Sequence, residues 1–277
     1  MISAKALISC DLINDVVKLF GDTFLVAYFL QVSNENIVQI SLYYIIVYAL
    51  LGLGHILLGK TLKKHTKGRI NIYRIGIIVK SIFVLLIVLL KNNINSYYIG
   101  IAIFYGISEA LYWSAHGLMN IEVVENSNRQ KYTVISRILS KTLSIILPII
   151  LGTTIELTSF TNIAIYVFAL TILQIVVSFL IDSNKFNSQG KCEKYNLKEF
   201  LKSLSVSQKE KVENITKLAF LYGLMMDTIR VLIVVITIMT FKTSIDLGIL
   251  TTLFSIFSMF SLFYLINSIT KNMQKDY

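Results

Sequence analysis

The sequence has few charged residues, one proline and two cysteines. Only 15% of its 277 residues are charged, whereas soluble domains carry roughly a quarter; this excludes an ordinary water-soluble domain. Neither Cys10 nor Cys192 belongs to a CxxC motif or a Cys/His cluster, so no metal site is indicated. The chain also lacks a phosphate-binding glycine-rich loop, an HExxH motif and a GxSxG motif. We therefore expect no cofactor, no ATP-driven pump and no recognisable hydrolase.

Long apolar runs make up most of the chain, in which 55% of the residues are hydrophobic. Each run is about 20 residues long, enough to cross a hydrocarbon core roughly 30 Å thick. The sequence therefore predicts an all-α membrane protein, a polytopic helical bundle of about eight transmembrane helices. The predicted helices lie near residues 10–32, 37–59, 72–90, 97–120, 132–155, 161–182, 216–241 and 245–268.

The net charge of +10 lies in alternate loops rather than on one face, which argues against a nucleic-acid partner. Positive residues concentrate on the cytoplasmic side of membrane proteins. The pattern therefore predicts a multi-pass protein of the plasma or inner membrane, with the lipid bilayer as its partner and both termini in the cytoplasm. The basic loops hold Lys60, Lys63, Lys64, Lys67 and Arg69 after the second helix, Arg129 and Lys131 after the fourth, and eight lysines from Lys185 to Lys217.

One long polar stretch divides the chain. We expect a six-helix transmembrane bundle over 1–182, a basic cytoplasmic linker over 183–215, and the first two helices of an incomplete second bundle over 216–277. Within the linker, apolar residues recur at the spacing of an amphipathic helix: Leu197, Phe200, Leu201 and Leu204. Such a helix either lies on the membrane surface or packs beneath the bundle.

The layout and two local stretches resemble the major facilitator superfamily (MFS). In that family the loop between helices two and three begins with glycine, carries an acidic–basic pair, and ends in glycine and basic residues. Here Lys63 takes the acidic position, and the corresponding gating loop contains Gly59, Lys63, Lys64, Gly68 and Arg69. The stretch from Gly106 to Gly152 is similar to bacterial members: an aromatic fourth helix, an acidic-to-Asn-Arg loop, and a fifth helix with Pro148.

The resemblance implies a secondary carrier that rocks two six-helix bundles about a site near the bilayer midplane. Family members have twelve helices, and this chain has about eight. We therefore expect either a truncated gene product or a chain whose fold is completed by a second polypeptide or by homo-oligomerisation.

Ionisable residues deep in a bilayer are costly and indicate function. The fourth helix places Glu109, Trp113, His116 and Asn120 along one face. Glu109 is the best candidate for proton coupling, with Trp113 stacking on the substrate and His116 relaying a proton or binding. Two structural alternatives stay open: Glu109 pairs with a buried basic residue, and His116 is a satisfied polar residue near the cytoplasmic interface.

Other candidates lie in the first, third, fifth and seventh helices. Asp227 and Arg230 form an intrahelical ion pair or face a cavity shared with Asp22, where the acids take a cation or proton and Arg230 binds an anion. Asp22 alternatively pairs with Lys18, four residues earlier. We expect Lys80 to be paired or to snorkel toward the membrane surface. Pro148 either kinks the fifth helix or serves packing.

The sequence thus predicts a secondary active transporter, coupled to protons or another gradient, for an unidentified small solute or drug. The alternative is a truncated or degenerate paralogue that acts as a non-transporting accessory or binding protein in the membrane. A third hypothesis is an intramembrane enzyme that uses Glu109 and His116; too few polar residues converge to favour it, so we expect no enzymatic activity.

Overall fold

The computed structural model describes residues 2–33, 35–64, 66–123, 129–182 and 205–273. Several side chains inside the helices lie outside that description, among them those of Lys63, Lys64 and Asp227. All regular secondary structure in the described ranges is helical. The prediction of an all-α protein is therefore confirmed for this part of the chain.

Nine α-helices carry the described fold. A π-helix, Phe20–Phe24, joins the first two into one continuous rod, and a 3-10 helix, Lys91–Tyr97, precedes the fifth. The helices are α1 Ile2–Leu19, α2 Leu25–Val32, α3 Ile37–Lys64, α4 Thr66–Leu90, α5 Tyr98–Val123, α6 Arg129–Leu157, α7 Phe160–Ser178, α8 Val206–Phe241 and α9 Ser244–Met273.

The gating loop predicted between Gly59 and Arg69 is mostly helical. Helix α3 continues to Lys64 and α4 begins at Thr66, so the expected open loop is wrong. Lysine and leucine favour helix, and no proline interrupts this stretch. Buried Arg69 donates from Nε to the carbonyl of Leu62 (2.7 Å). This bond satisfies a carbonyl in the last turn of α3, which otherwise has no helical partner.

Helix α8 begins at Val206 rather than at 216, because a capping box starts it. The Ser205 hydroxyl accepts a hydrogen bond from the Gln208 amide (3.3 Å), and the Gln208 side chain accepts one from the Ser205 amide (2.9 Å). Two otherwise unsatisfied donors are paired in this way. The amphipathic helix predicted around Leu197–Leu204 lies outside the described residues.

The bundle's exterior is apolar. Ile56 and Leu57 are each 70% exposed, as suits residues whose solvent is lipid. Four described helical stretches are long and apolar enough to span a membrane: Ile37–Gly59, Gly68–Leu90, Arg129–Leu157 and Phe160–Ser178. Two shorter apolar stretches follow, Thr228–Phe241 and Ser244–Phe260.

Close helix pairs build the interior. A Cβ on Gly106 of α5 would lie 2.9 Å from the Leu50 Cβ of α3, so only glycine allows these helices to approach so closely. Helix α9 packs on α6 in the same way: Gly152 faces the Ser244 carbonyl, and Gly248 faces the carbonyl of buried Pro148. The structure thus gives Pro148 a packing contact inside an uninterrupted α6.

Polar contacts define two ends of the bundle. At the near end, where α1 begins, the Ser3 hydroxyl accepts a hydrogen bond from the Asp182 amide (3.2 Å). At the far end, Gln31 Nε2 donates to the Lys242 carbonyl (3.2 Å), and the Ser244 amide donates to Glu156 (3.2 Å). The far-end bonds connect the junction between α8 and α9 to α2 and α6.

Candidate functional site

Asp22 lies in the π-helix that interrupts the first rod. Its Oδ1 accepts a hydrogen bond from Tyr105 (2.7 Å), and its backbone carbonyl accepts one from Tyr44 (2.7 Å). Its Oδ2 lies 3.3 Å from Arg230 NH1 of α8. The carboxylate therefore joins α5 to α8 across the centre of the molecule. π-Helical turns often occur at functional sites.

A central cavity of about 320 Å³ opens beside Asp22. Helix α1 contributes charged residues to it, α6 and α9 contribute hydroxyls, and α8 contributes a guanidinium. Its lining residues are Asp15, Lys18, Leu19, Asp22, Thr23, Ser140, Leu143, Ser144, Leu147, Arg230, Thr251 and Ser255. The cavity thus lies between α1 with the π-helix, α6, α8 and α9.

A second space, here called the near cavity, measures about 260 Å³ and lies closer to the near end. Asp15 and Ser140 line both cavities, and the Ser140 hydroxyl donates to Asp15 Oδ2 (2.6 Å). One hydrogen bond therefore lies at their boundary. The near cavity's other lining residues are Asp11, Leu12, Trp113, His116, Asn120, Arg129, Tyr132, Thr133, Ser136 and Arg137.

Glu109 is held by one partner from α4 and one from its own helix, α5. Its Oε1 lies 2.5 Å from the Nζ of Lys80, with side-chain exposures of 5% and 0%, and its Oε2 accepts a hydrogen bond from Trp113 (2.8 Å). Lys80 also donates to Asn14 Oδ1 and lies 4.5 Å from the centre of the Tyr112 ring. Lys80 is therefore paired at depth and does not snorkel.

His116 forms a second cluster, closer to the end of the bundle where α1 begins. Its Nε2 lies 2.7 Å from Asp11 Oδ1, which also accepts a hydrogen bond from Tyr112 (2.8 Å). The Asn120 amide lies 3.2 Å from the same imidazole nitrogen, and Asn120 Oδ1 accepts from Tyr132 (2.9 Å). This network lines the near cavity and can hold or pass a proton.

The predicted face of α5 is continuous in the structure. Glu109 bonds Trp113, the Trp113 and His116 rings meet edge to face at 5.1 Å, and His116 contacts Asn120. Trp113, His116 and Asn120 line the near cavity, whereas 4%-exposed Glu109 lies behind Trp113.

The remaining candidates are distributed differently. Lys18 does not pair with Asp22; its Nζ lies 5.6 Å from the centre of the Trp113 ring. Arg230 reaches across to Asp22, and the side chain of Asp227 lies outside the described residues. Around Gly59 the structure leaves open space, and half-buried Gly68 belongs to α4.

Sequence reasoning missed four contributors: Asp11, Asp15, Tyr112 and Ser140. A signal for the acids was present, because Asp11, Asp15, Lys18 and Asp22 are spaced four, three and four residues apart. That spacing puts them on one helical face. Tyr112 and Ser140 carry no charge, so nothing distinguished them from other polar residues of their helices.

Among the described residues, no group of three or more His, Cys, Asp or Glu side chains is arranged to hold a metal ion. The chemistry that these cavities offer is ion pairing, hydrogen bonding and proton exchange.

Comparison with known proteins gives one family. The family model described as Major Facilitator Superfamily matches residues 19–275. No curated protein and no solved structure matches the chain. The match begins at the last residue of α1, so it covers Asp22 and the cavity residues of α5, α6, α8 and α9, whereas the lining residues Asp11, Leu12, Asp15 and Lys18 precede it.

Proposed function

The chain belongs to the major facilitator superfamily, a family of secondary transporters, and we propose that it is a carrier that moves a small polar solute through the central cavity. The family match supports a multi-pass membrane protein. We further propose the class of solute, the coupling ion and the orientation in the membrane. In our orientation the near end and both termini face the cytoplasm, and the membrane is the plasma or inner membrane.

The observation that carries the proposal is the set of charged side chains that line a cavity between apolar helices. Asp15 and Lys18 belong to α1, Asp22 belongs to the π-helix that follows it, and Arg230 belongs to α8. Placing charged side chains in a membrane interior costs free energy, and in membrane proteins such residues mark substrate and ion pathways. Because the cavity lies between two groups of helices, relative movement of these groups exposes it to either end.

Glu109 carries the coupling proton in this proposal. When Glu109 is protonated it no longer neutralises Lys80, so the ammonium needs other support in a low-dielectric interior. Asn14 Oδ1 and the face of the Tyr112 ring supply that support. Trp113 contacts both Glu109 and the near cavity, and His116 with Asp11 provides a proton-exchanging site beside it.

Proton flux in vesicles tests this function. Vesicles that contain the purified 277-residue chain and a trapped pH dye are given a panel of amino acids, peptides, sugars and cationic drugs. Wild-type protein is expected to move protons with one class of solute, Glu109→Gln to lose that movement, and the exposed control Glu210→Gln to retain it.

Two results contradict the proposal. Absence of solute-driven flux from a folded wild-type chain across the whole panel contradicts the transport function and favours a binding role. Undiminished flux in Glu109→Gln contradicts the role of Glu109 alone.

A further inference from the structure

The central cavity contains two charged groups of opposite sign, Asp15 and Lys18, that form no direct salt bridge among the described residues. Asp22 is paired with Arg230. The Asp15 carboxylate accepts a hydrogen bond from the neutral Ser140 hydroxyl (2.6 Å). The Lys18 Nζ lies 5.6 Å from the centre of the Trp113 ring, and it interacts with the carboxylates of Asp15 and Asp22 only at longer range. Both side chains are half-buried and line the cavity.

We infer that the central cavity binds a small zwitterion, with the solute's carboxylate on Lys18 and its ammonium on Asp15. This inference rests on the proposed carrier function and names the class of solute. The two residues are three positions apart on α1, so they lie on one face about one helical turn apart. A small solute that carries both charges can therefore contact both residues at once.

Charge balance favours a zwitterion over a simple ion. A carboxylic acid without an amine would neutralise Lys18 but leave Asp15 in the cavity without a counter-ion. An amine without a carboxylate would neutralise Asp15 but leave Lys18 without a counter-ion. An unpaired charge in a desolvated site is strongly unfavourable, so a solute with both charges is bound best.

The rest of the lining fits this class. Ser144, Thr251 and Ser255 place hydroxyls on the opposite walls, and Leu143 and Leu147 place an apolar surface beside them. The Ser144 and Thr251 hydroxyls donate to backbone carbonyls of their own helices, so they can accept a hydrogen bond from a solute's ammonium, and the leucines accept an aliphatic side chain. A cavity of about 320 Å³ holds one amino acid of ordinary size together with some water.

Three related probes test the contribution of each charge of the solute. Leucine carries both charges, N-acetyl-leucine lacks the ammonium, and leucinamide lacks the carboxylate. Thermal unfolding of the purified chain in detergent, measured against probe concentration, gives an apparent affinity. Wild type is expected to bind leucine about tenfold or more tightly than either derivative, since each derivative leaves one of the two half-buried charges without a counter-ion.

Two variants test which residue binds each charge of the solute. Lys18→Met is expected to abolish the preference for leucine over leucinamide, and Asp15→Asn to abolish the preference for leucine over N-acetyl-leucine. The exposed residues Lys141 and Glu210 supply the controls Lys141→Met and Glu210→Gln, which should bind leucine as wild type does.

Several results overturn the inference. Wild-type binding of N-acetyl-leucine as tight as that of leucine indicates an organic-anion site, and equally tight leucinamide indicates a cation site. Failure of leucine to shift the unfolding of folded wild type also overturns it. These results differ from failure of the carrier function: leucine binding without transport contradicts only transport, whereas transport of a solute that lacks either charge contradicts only the inference.

Discussion

At the residue scale, Lys80 and Glu109 show how a membrane interior tolerates two ionisable groups. Each is nearly or fully buried, and each has further polar or aromatic support besides the other. The sequence predicted the α5 face that contains Glu109 because helical spacing is local. The sequence left open whether Glu109 pairs with a buried basic residue and did not identify Lys80 as that residue, because the pairing depends on the register of α4 against α5. Gly76, which packs on the Tyr112 backbone, permits that register.

The two members of this pair are expected to depend on each other for stability. Lys80→Met leaves the buried Glu109 carboxylate without its counter-ion, and Glu109→Gln leaves the buried Lys80 ammonium without its own. The more damaging of the two variants should cost about 3–5 kcal/mol. The double variant should be closer to wild type than that single variant. Thermal unfolding of the four proteins in detergent measures this coupling.

The same four proteins distinguish a role of Glu109 in folding from a role in proton coupling. If the double variant folds well and still fails to move protons, Glu109 acts in coupling and not only in folding. Additive losses, with the double variant less stable than either single one, would contradict the ion pair.

At the element scale, hydropathy located the helices but not their ends or irregularities. The π-helix at Phe20–Phe24 was not predicted, since nothing local distinguishes Gly-Asp-Thr from a regular helical turn. It depends on tertiary contacts such as the Tyr44 bond to the Asp22 carbonyl. Helices α3, α4 and α8 extend past the apolar runs because lysine-rich segments form helix in water as well.

The start of α8 is expected to depend on its capping box. Ser205→Ala removes the acceptor for the Gln208 amide, at a cost of about 0.5–2 kcal/mol. Hydrogen exchange of the amides in 206–215 should accelerate, whereas Ser205→Asp, which keeps an acceptor, should exchange as wild type does. Equal exchange in Ser205→Ala and wild type would contradict the role of the cap.

The contact between α6 and α9 is expected to tolerate no side chain at Gly248. Gly248→Leu must push the helices apart, since a Cβ there meets the Pro148 backbone. The thermal midpoint should fall by several degrees, as for other overpacked sites. Gly223→Leu in α8, where a Cβ meets nothing within 4 Å, is the matched control. Equal midpoints for the two variants would show that this packing is unimportant.

At the scale of the whole molecule, composition predicted the fold class, since only helices satisfy their own backbone hydrogen bonds throughout lipid when strand patterns are lacking. The layout suggested the family, and the family model confirms it. The contact between Asp22 and Arg230 joins positions 208 residues apart. One sequence contains no information on such a pairing beyond the two charges themselves.

Exchange of the charges of this pair tests the connection between the two groups of helices. Asp22→Arg and Arg230→Asp are each expected to lower solute uptake about tenfold or more, because each places like charges together. The double exchange should recover part of the loss. Uptake in vesicles measures it, and a double variant no better than the worse single one would contradict the pairing.

The central claim, a carrier whose central cavity opens to both ends, is tested most directly by labelling from each side. Cys10 and Cys192 are replaced by serine, and Ser144→Cys places a thiol on the cavity wall. We predict that a membrane-impermeant maleimide reacts from either side of oriented vesicles, and that leucine slows both reactions. Labelling from one side only, unchanged by leucine or by any other solute of the panel, would contradict the claim.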